Sequence, residues 1–214
     1  MKAIIEFLRI LGVISGYPFN WLFFKRKTYY EDKKACRRCF RGGNLIISNH
    51  YNPLDYVANC FVVFPRKLYV VASEDGFRNP FRKYGMIFWG GIQANRVTGN
   101  MHFVAESVRT LRRGKLVQIF PEGHNTDDGT IKEFYPSYIL IALRARCPIV
   151  PVVSDGNYGF FKRLHVIIGK PIDLYDYLAG DKHTREDIPR LNEIVRGKVL
   201  ELREELEKRK GKKQ

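Results

Sequence analysis

From residue 44 onward, short apolar runs rich in β-branched residues alternate with stretches whose apolar positions recur at helical spacing. Runs of this kind predict strands at 45–48, 68–72, 115–120, 149–153 and 165–168. Between them the spacing predicts helices at 54–64, 80–86, 100–113 and 136–146, and a charged helix from about 185 to 210. Strands that alternate with helices pair in parallel and are covered on both sides, so the expected fold is α/β: a largely parallel mixed sheet with helices on both faces. No internal repeat or low-complexity linker interrupts it. The tail at 198–213, KVLELREELEKRKGKK, mixes both signs of charge at helical spacing and predicts a solvated helix with a frayed basic end.

The first 27 residues follow another pattern. Residues 3–24 are largely apolar but carry Glu6 and Arg9, are broken by Gly12, Gly16 and Pro18, and run directly into Lys25-Arg26-Lys27. A clean membrane span needs about 20 uninterrupted apolar residues. Phe19, Trp21, Phe23 and Phe24 followed by cations fit a segment lying at a membrane surface, rings at the acyl boundary and cations among the phosphates. The expectation is an N-terminal apolar helical membrane anchor over 1–27; a helical pair packed on the domain and a single span are the alternatives.

Composition sharpens this in one respect. The 214 residues suit one domain, and 37 Lys and Arg against 22 Asp and Glu give a net charge of +15. Such a field attracts nucleic acid, an anionic bilayer or an acidic partner protein. No nucleic-acid recognition motif is present, and the charge gathers beside the apolar segment, so no nucleic-acid partner is expected. The cysteines (Cys36, Cys39, Cys60 and Cys147) and the lack of a cleavable leader point to a reducing compartment. Cys36-Arg-Arg-Cys39 has no second pair to complete a zinc site, and reads as two unpaired thiols on a basic, solvated stretch.

Candidate chemistry sits where strands end. The run Asn49-His50-Tyr51-Asn52-Pro53-Leu54-Asp55 follows the 45–48 strand, with Asn52 and Pro53 suited to starting a helix. Asp55 in the first turn would approach His50, fix its tautomer and stabilise the imidazolium as it forms. A second cluster, Pro121-Glu122-Gly123-His124-Asn125, follows the 115–120 strand, and ligands of open α/β sheets gather at that end. A third, Gly90-Gly91-Ile92-Gln93-Ala94-Asn95-Arg96, offers an arginine fork suited to phosphate. The same side chains permit a rival, a metal-dependent hydrolase with His50, Asp55, Glu122 and His124 as ligands, although no HExxH-type spacing supports it.

Taken together, NHYNPLD, GGIQANR, FPEGH and CPIVPVV resemble, in order and separation, the glycerolipid acyltransferases that acylate lysophosphatidic acid. The resemblance covers residues 44–153, with Ile168-Gly-Lys-Pro-Ile172 similar to the family's trailing strand. It implies an acyltransferase domain over 28–214, with His50 as general base and Asp55 as its orienting partner. It places the glycerol-phosphate headgroup near Arg96, Glu122 and Gly123, with Gly91 and His124 beside them. Pro148 and Pro151 match a block associated with the acyl-donor side, or form a plain core strand. The implied partners are a lysophospholipid acceptor, a thioester donor (acyl-CoA or acyl carrier protein) and an anionic membrane surface at the cytoplasmic face. No metal and no resident cofactor is expected. The chain departs from the family where Glu-Gly-Thr-Arg-Ser becomes Glu122-Gly-His-Asn-Thr126, which leaves Asn125 in place of a phosphate-binding arginine. Either His124 and Lys132 compensate, or the acceptor is another lysolipid.

Overall fold

The structure is a computed structural model that describes residues 2–36, 40–94, 101–126, 129–180 and 182–211. Helix α1 (Lys2–Phe19) passes through a π-helical turn (Asn20–Phe24) into strand β1 (Lys27–Tyr30) and the short helix α2 (Lys33–Cys36). The chain then runs through β2 (Asn44–Ser48), α3 (Leu54–Val62) and β3 (Leu68–Ser73) to a 3-10 turn (Glu74–Phe77) and α4 (Pro80–Trp89). It continues with β4 (Gly91–Ala94), α5 (His102–Arg112), β5 (Leu116–Ile119), α6 (Ser137–Ala145) and β6 (Ile149–Ser154). Strand β7 (His165–Ile168), a second 3-10 turn (Leu174–Tyr177) and α7 (Asp187–Gly211) complete it.

The strands form one seven-stranded sheet in the order β1-β7-β6-β2-β5-β3-β4. Every pairing is parallel except β6 with β7, so β2 to β6 share one carboxyl end and the β7–β1 pair runs the other way. The largely parallel mixed sheet is as expected. Strands β1 and β4, both at the edges, escape the apolar pattern.

Alternation along β2 shows how the layers form. Leu45 and Ile47 point into a core shared with α5, α6 and α7, whereas Ile46 points into a second core with Phe24 and Ala58 of α3. Both faces of the central strands are buried, which accounts for their continuous apolar runs. Helix α5 buries Val104, Val108 and Leu111 at the spacing of one helical face. The tail is not merely solvated. Leu191, Val195, Val199, Leu202 and Leu206 form a buried stripe along α7 and join the core, because their spacing of three and four places them together between charged neighbours. Cys36 is likewise buried, with Sγ 3.2 Å from the Gly169 carbonyl oxygen, rather than solvated as expected. Cys39 lies outside the described residues.

The expected anchor segment is helical, and among the described residues no helix is long and apolar enough to cross a membrane. Its amphipathicity is inverted. The positions turned toward the protein are Arg9, Gly12, Val13 and Gly16, whereas Ile4, Phe7, Leu8, Leu11 and Ile14 are exposed. The Arg9 guanidinium is buried and donates to the carbonyl oxygens of Leu68, at 3.0 Å, and of Trp89. A Cβ on Gly12 would lie 3.5 Å from the Trp89 ring, so a small residue there lets α1 approach α4.

Candidate active site

Strand β2 delivers Asn49 and His50 to the carboxyl end of the sheet. The Asn49 side chain donates to the Ser154 carbonyl at 3.0 Å and accepts from the Ser154 amide at 2.9 Å, fastening this strand end to that of β6. Buried amide groups satisfied on both sides hold the backbone in one register. The next residue is held from three directions. The His50 amide donates to Glu122 Oε1 at 3.1 Å, and its carbonyl accepts from the Thr126 amide at 2.8 Å. Its ring stacks on Phe120 with centroids 3.9 Å apart and planes 15° from parallel.

Asp55 lies in the first turn of α3, where Asn52 accepts from the Leu54 amide at 2.8 Å and so starts the helix one residue beyond Pro53. The Asp55 carboxyl is buried, and Oδ2 lies 2.9 Å from His50 Nδ1. The same oxygen accepts from the amides of Tyr51 at 2.6 Å and Asn52 at 2.9 Å, while Oδ1 accepts from the Tyr158 hydroxyl. In the tautomer that carries its proton on Nδ1, His50 donates to this carboxylate and Nε2 keeps its lone pair.

His50 lines a cleft of about 450 Å³ whose other walls include Tyr56, Val70, Ser73, Met86, Phe120 and Gly123. The cleft is mostly apolar, and its polar lining is His50, Ser73, Asp75, His124 and Asn125. Among the described residues that line it there is no lysine or arginine. Arg96 lies outside the described residues, in the segment that follows β4.

The other predicted residues divide. The structure brings His50, Gly123 and His124 to one cleft, with Asp55 behind His50. Glu122 is adjacent but fully buried, and its oxygens are taken by the amides of His50 and, at 3.2 Å, Lys132. Burial raises its pKa against these two donors. It braces the His50 loop instead of facing the cleft. Gly123 turns the chain after it with φ +74°, a conformation that favours glycine. Gly91 belongs to β4, packed so closely that a Cβ would lie 2.9 Å from Met86 and Phe77. It shapes the cleft through Met86. Pro151 lies within β6 opposite Ile47, its carbonyl accepting from the Gly169 amide at 2.9 Å, and Pro148 accepts from the Leu45 amide at 3.1 Å. Neither borders the cleft.

The four residues of the rival hydrolase lie near one another, but the Asp55 carboxylate is engaged by His50 and two backbone amides, that of Glu122 by two amides, and His124 is exposed. Among the described residues no group of three or more His, Cys, Asp or Glu side chains is placed to hold a metal. Sequence reasoning missed Phe120, Tyr158 and the Asn49–Ser154 clamp. Tyr158 is 103 residues from Asp55, and no local spacing signals it.

A second pair of the same kind exists. His165 Nδ1 lies 2.9 Å from Asp155 Oδ2, which also holds the Lys210 ammonium at 3.0 Å. It is not part of the cleft with His50.

The chain is 25% identical over 165 residues to a 1-acyl-sn-glycerol-3-phosphate acyltransferase of Borreliella burgdorferi, a match covering 73% of this chain and 64% of that protein. It is 30% identical over 155 residues to the human 1-acyl-sn-glycerol-3-phosphate acyltransferase beta, covering 69% of this chain and 55% of that one. It thus spans somewhat over half the length of these two relatives. Its fold is similar to the crystal structure of the 1-acyl-sn-glycerophosphate (LPA) acyltransferase PlsC from Thermotoga maritima, with a TM-score of 0.64 and 17% identity over 95% of this chain and 83% of that one. The profile of the family described as Acyltransferase matches residues 24–155, which contain His50, Asp55, Phe120 and Glu122, and the chain belongs to that family.

Proposed function

We propose that this protein transfers an acyl group from a thioester, on coenzyme A or acyl carrier protein, to the free hydroxyl of a lysophospholipid at a membrane surface. The acceptor best supported is 1-acyl-sn-glycerol-3-phosphate, giving phosphatidic acid; it is the substrate in the names of the curated relatives. The observation that carries the reading is a histidine whose Nδ1 is held by a buried carboxylate while the ring borders an apolar cleft. Nε2 takes the proton of the acceptor hydroxyl as its oxygen attacks the thioester carbonyl. The tetrahedral oxyanion collapses, the C–S bond breaks, and the imidazolium returns its proton to the departing thiolate. Asp55 holds the ring and stabilises the positive charge it transiently carries. No nucleophile from the protein is needed, because the acceptor supplies it.

A second acceptor reading rests on Asn125. It lines the cleft, where among the described residues no lysine or arginine is present to meet a phosphomonoester. Each charged hydrogen bond contributes about 1.5–3 kcal/mol, so another lysolipid headgroup is the competing substrate. The outward apolar face of α1 and the +15 charge support attachment to an anionic leaflet, the anchoring role assigned here to residues 1–27. The test is a matrix of lysolipid acceptors against acyl-CoA and acyl carrier protein donors, run with the wild type and with Asn125→Arg. Acylation of lysophosphatidic acid by the wild type upholds the assignment. If only Asn125→Arg acylates it, the natural acceptor is a different lysolipid. Transfer to no lysolipid overturns the reading.

A further inference from the structure

Helix α4 is ten residues long, and none of them is buried. Asn79 caps its first turn, accepting from the Phe81 amide at 2.9 Å, and Gly90 ends it with φ +87°. Local signals therefore make a defined helix, yet its outer side is apolar: Phe81 is 89% exposed, Tyr84 73% and Ile87 55%. Helices with exposed rings at a spacing of three are rare on a soluble surface, where such rings usually turn inward. Arg82 and Lys83 lie between Phe81 and Tyr84, and Arg78 just precedes the helix; all three are exposed.

The inner side of α4 belongs to the reaction cleft. Met86 lines it with His50, and the carbonyl of Trp89 accepts from the hydroxyl of Tyr56, another cleft residue, at 2.8 Å. The same carbonyl accepts from Arg9 of α1. Helix α1, itself apolar outward, is thus pinned to the cleft wall at the carboxyl end of α4.

We infer that the Phe81–Tyr84–Ile87 face of α4, with Arg78, Arg82 and Lys83, is a second membrane-contact element that inserts into an anionic lipid surface beside the cleft. Exposed rings suit the acyl boundary, and the neighbouring cations suit lipid phosphates. Because one face of α4 meets lipid and the other walls the cleft, the acceptor enters without its acyl chain crossing water. The inference rests on the membrane-surface reading above and deepens it.

The experiment uses the full chain with vesicles of phosphatidylglycerol and phosphatidylcholine. A triple variant, Phe81→Ser with Tyr84→Ser and Ile87→Ser, is compared with Phe7→Ser in α1. A third variant, Tyr84→Trp, reports insertion through quenching by lipids brominated near the headgroup. The triple variant is expected to bind vesicles at least about tenfold more weakly, and its activity should fall more on vesicle-borne acceptor than on a monomeric short-chain acceptor. Tyr84→Trp should add quenching above the wild-type background. Unaltered vesicle binding by the triple variant, with no added quenching at position 84, overturns the inference. If Phe7→Ser nevertheless releases the protein, the membrane reading stands without α4. If the wild type itself does not bind, both fall. Concentration-dependent dimerisation abolished by the triple variant would assign the face to a second copy of this chain and overturn the lipid assignment.

Discussion

The two histidine–aspartate pairs invite comparison because the usual measures do not separate them. Nδ1 to Oδ2 is 2.9 Å in both; the histidine side chains are 17% and 19% exposed, and the aspartates 1% and 0%. What differs is what each pair touches next. Asp55 accepts from neutral donors, two amides and the Tyr158 hydroxyl, so the imidazolium of His50 would be its nearest cation. Asp155 already faces the Lys210 ammonium. His50 borders the cleft, whereas His165 stacks beside Tyr29 at 6.1 Å. A dyad works as a base only where its free nitrogen meets a substrate and its carboxylate has charge left to offer. The second pair instead ties α7 to the end of β6, a tie reinforced by Arg203 donating to the Ser154 carbonyl at 2.7 Å.

The largest effect expected is at His50. On the proposed mechanism His50→Ala should lower acyl transfer by at least about 10³-fold, since that mechanism makes His50 the base, while vesicle binding persists. His165→Ala should keep turnover within about threefold, because nothing it touches meets substrate. Single-turnover assays on both variants check this. Equal losses would erase the distinction between the pairs.

Next come the carboxylates. Asp55→Asn presents an amide that can hold the wrong tautomer, and kcat should fall by about 10² to 10⁴-fold. Asp155→Asn should act on stability instead, lowering the unfolding free energy by about 1–3 kcal/mol in urea titration at neutral pH. A folded, stable Asp155→Asn protein with a collapsed kcat would contradict the comparison.

Acid sharpens the same contrast. Burial pushes Asp155 upward, but the His165 amide and ring and the Lys210 ammonium outweigh it, leaving its pKa below the ordinary value. A depressed carboxylate contributes stability above its unfolded pKa and loses it as pH falls through the folded one. The stability gap between wild type and Asp155→Asn should therefore narrow below about pH 4. Glu122 has the opposite sign: its raised pKa means that its contribution is present in acid and fades as pH rises through the folded value. Urea titrations from pH 3 to 7 test both directions.

How far the sequence reveals this arrangement depends on how local each feature is. The central strands are legible because burial on both faces leaves uninterrupted apolar runs such as Leu45-Ile46-Ile47. The edge strands are not: Lys27–Tyr30 is half-buried throughout, and Gly91–Ala94 alternates over only four residues and opens on glycine, too short a run to stand out. His50 and Asp55 are legible because five residues across a helix start place them together. Tyr158, Phe120 and the Asn49–Ser154 clamp arrive from other strands through the topology, which no local spacing encodes. Glu122 was legible as a site residue but not in its role, since only the fold shows its carboxylate turned onto the His50 amide. The inverted face of α1 is written in Arg9, Gly12 and Gly16, but reads as mere interruption until α4 is seen against it.

The smallest effect separates the two networks most finely. Tyr158→Phe removes one donor from Asp55 and leaves the Tyr51 and Asn52 amides in place. A single net hydrogen bond of about 0.5–1.5 kcal/mol corresponds to a loss of roughly twofold to tenfold in kcat, with little change in the acceptor KM. Lys210→Met removes the ammonium from Asp155 and should lower stability while leaving kcat alone. The opposite result has a physical route, because Asp155 adjoins Ser154, and Ser154 clamps Asn49, the residue before His50. If Lys210→Met slows turnover as much as Tyr158→Phe, strain at the second pair reaches the base through that clamp. The two pairs would then be one network, with α7 setting the position of His50.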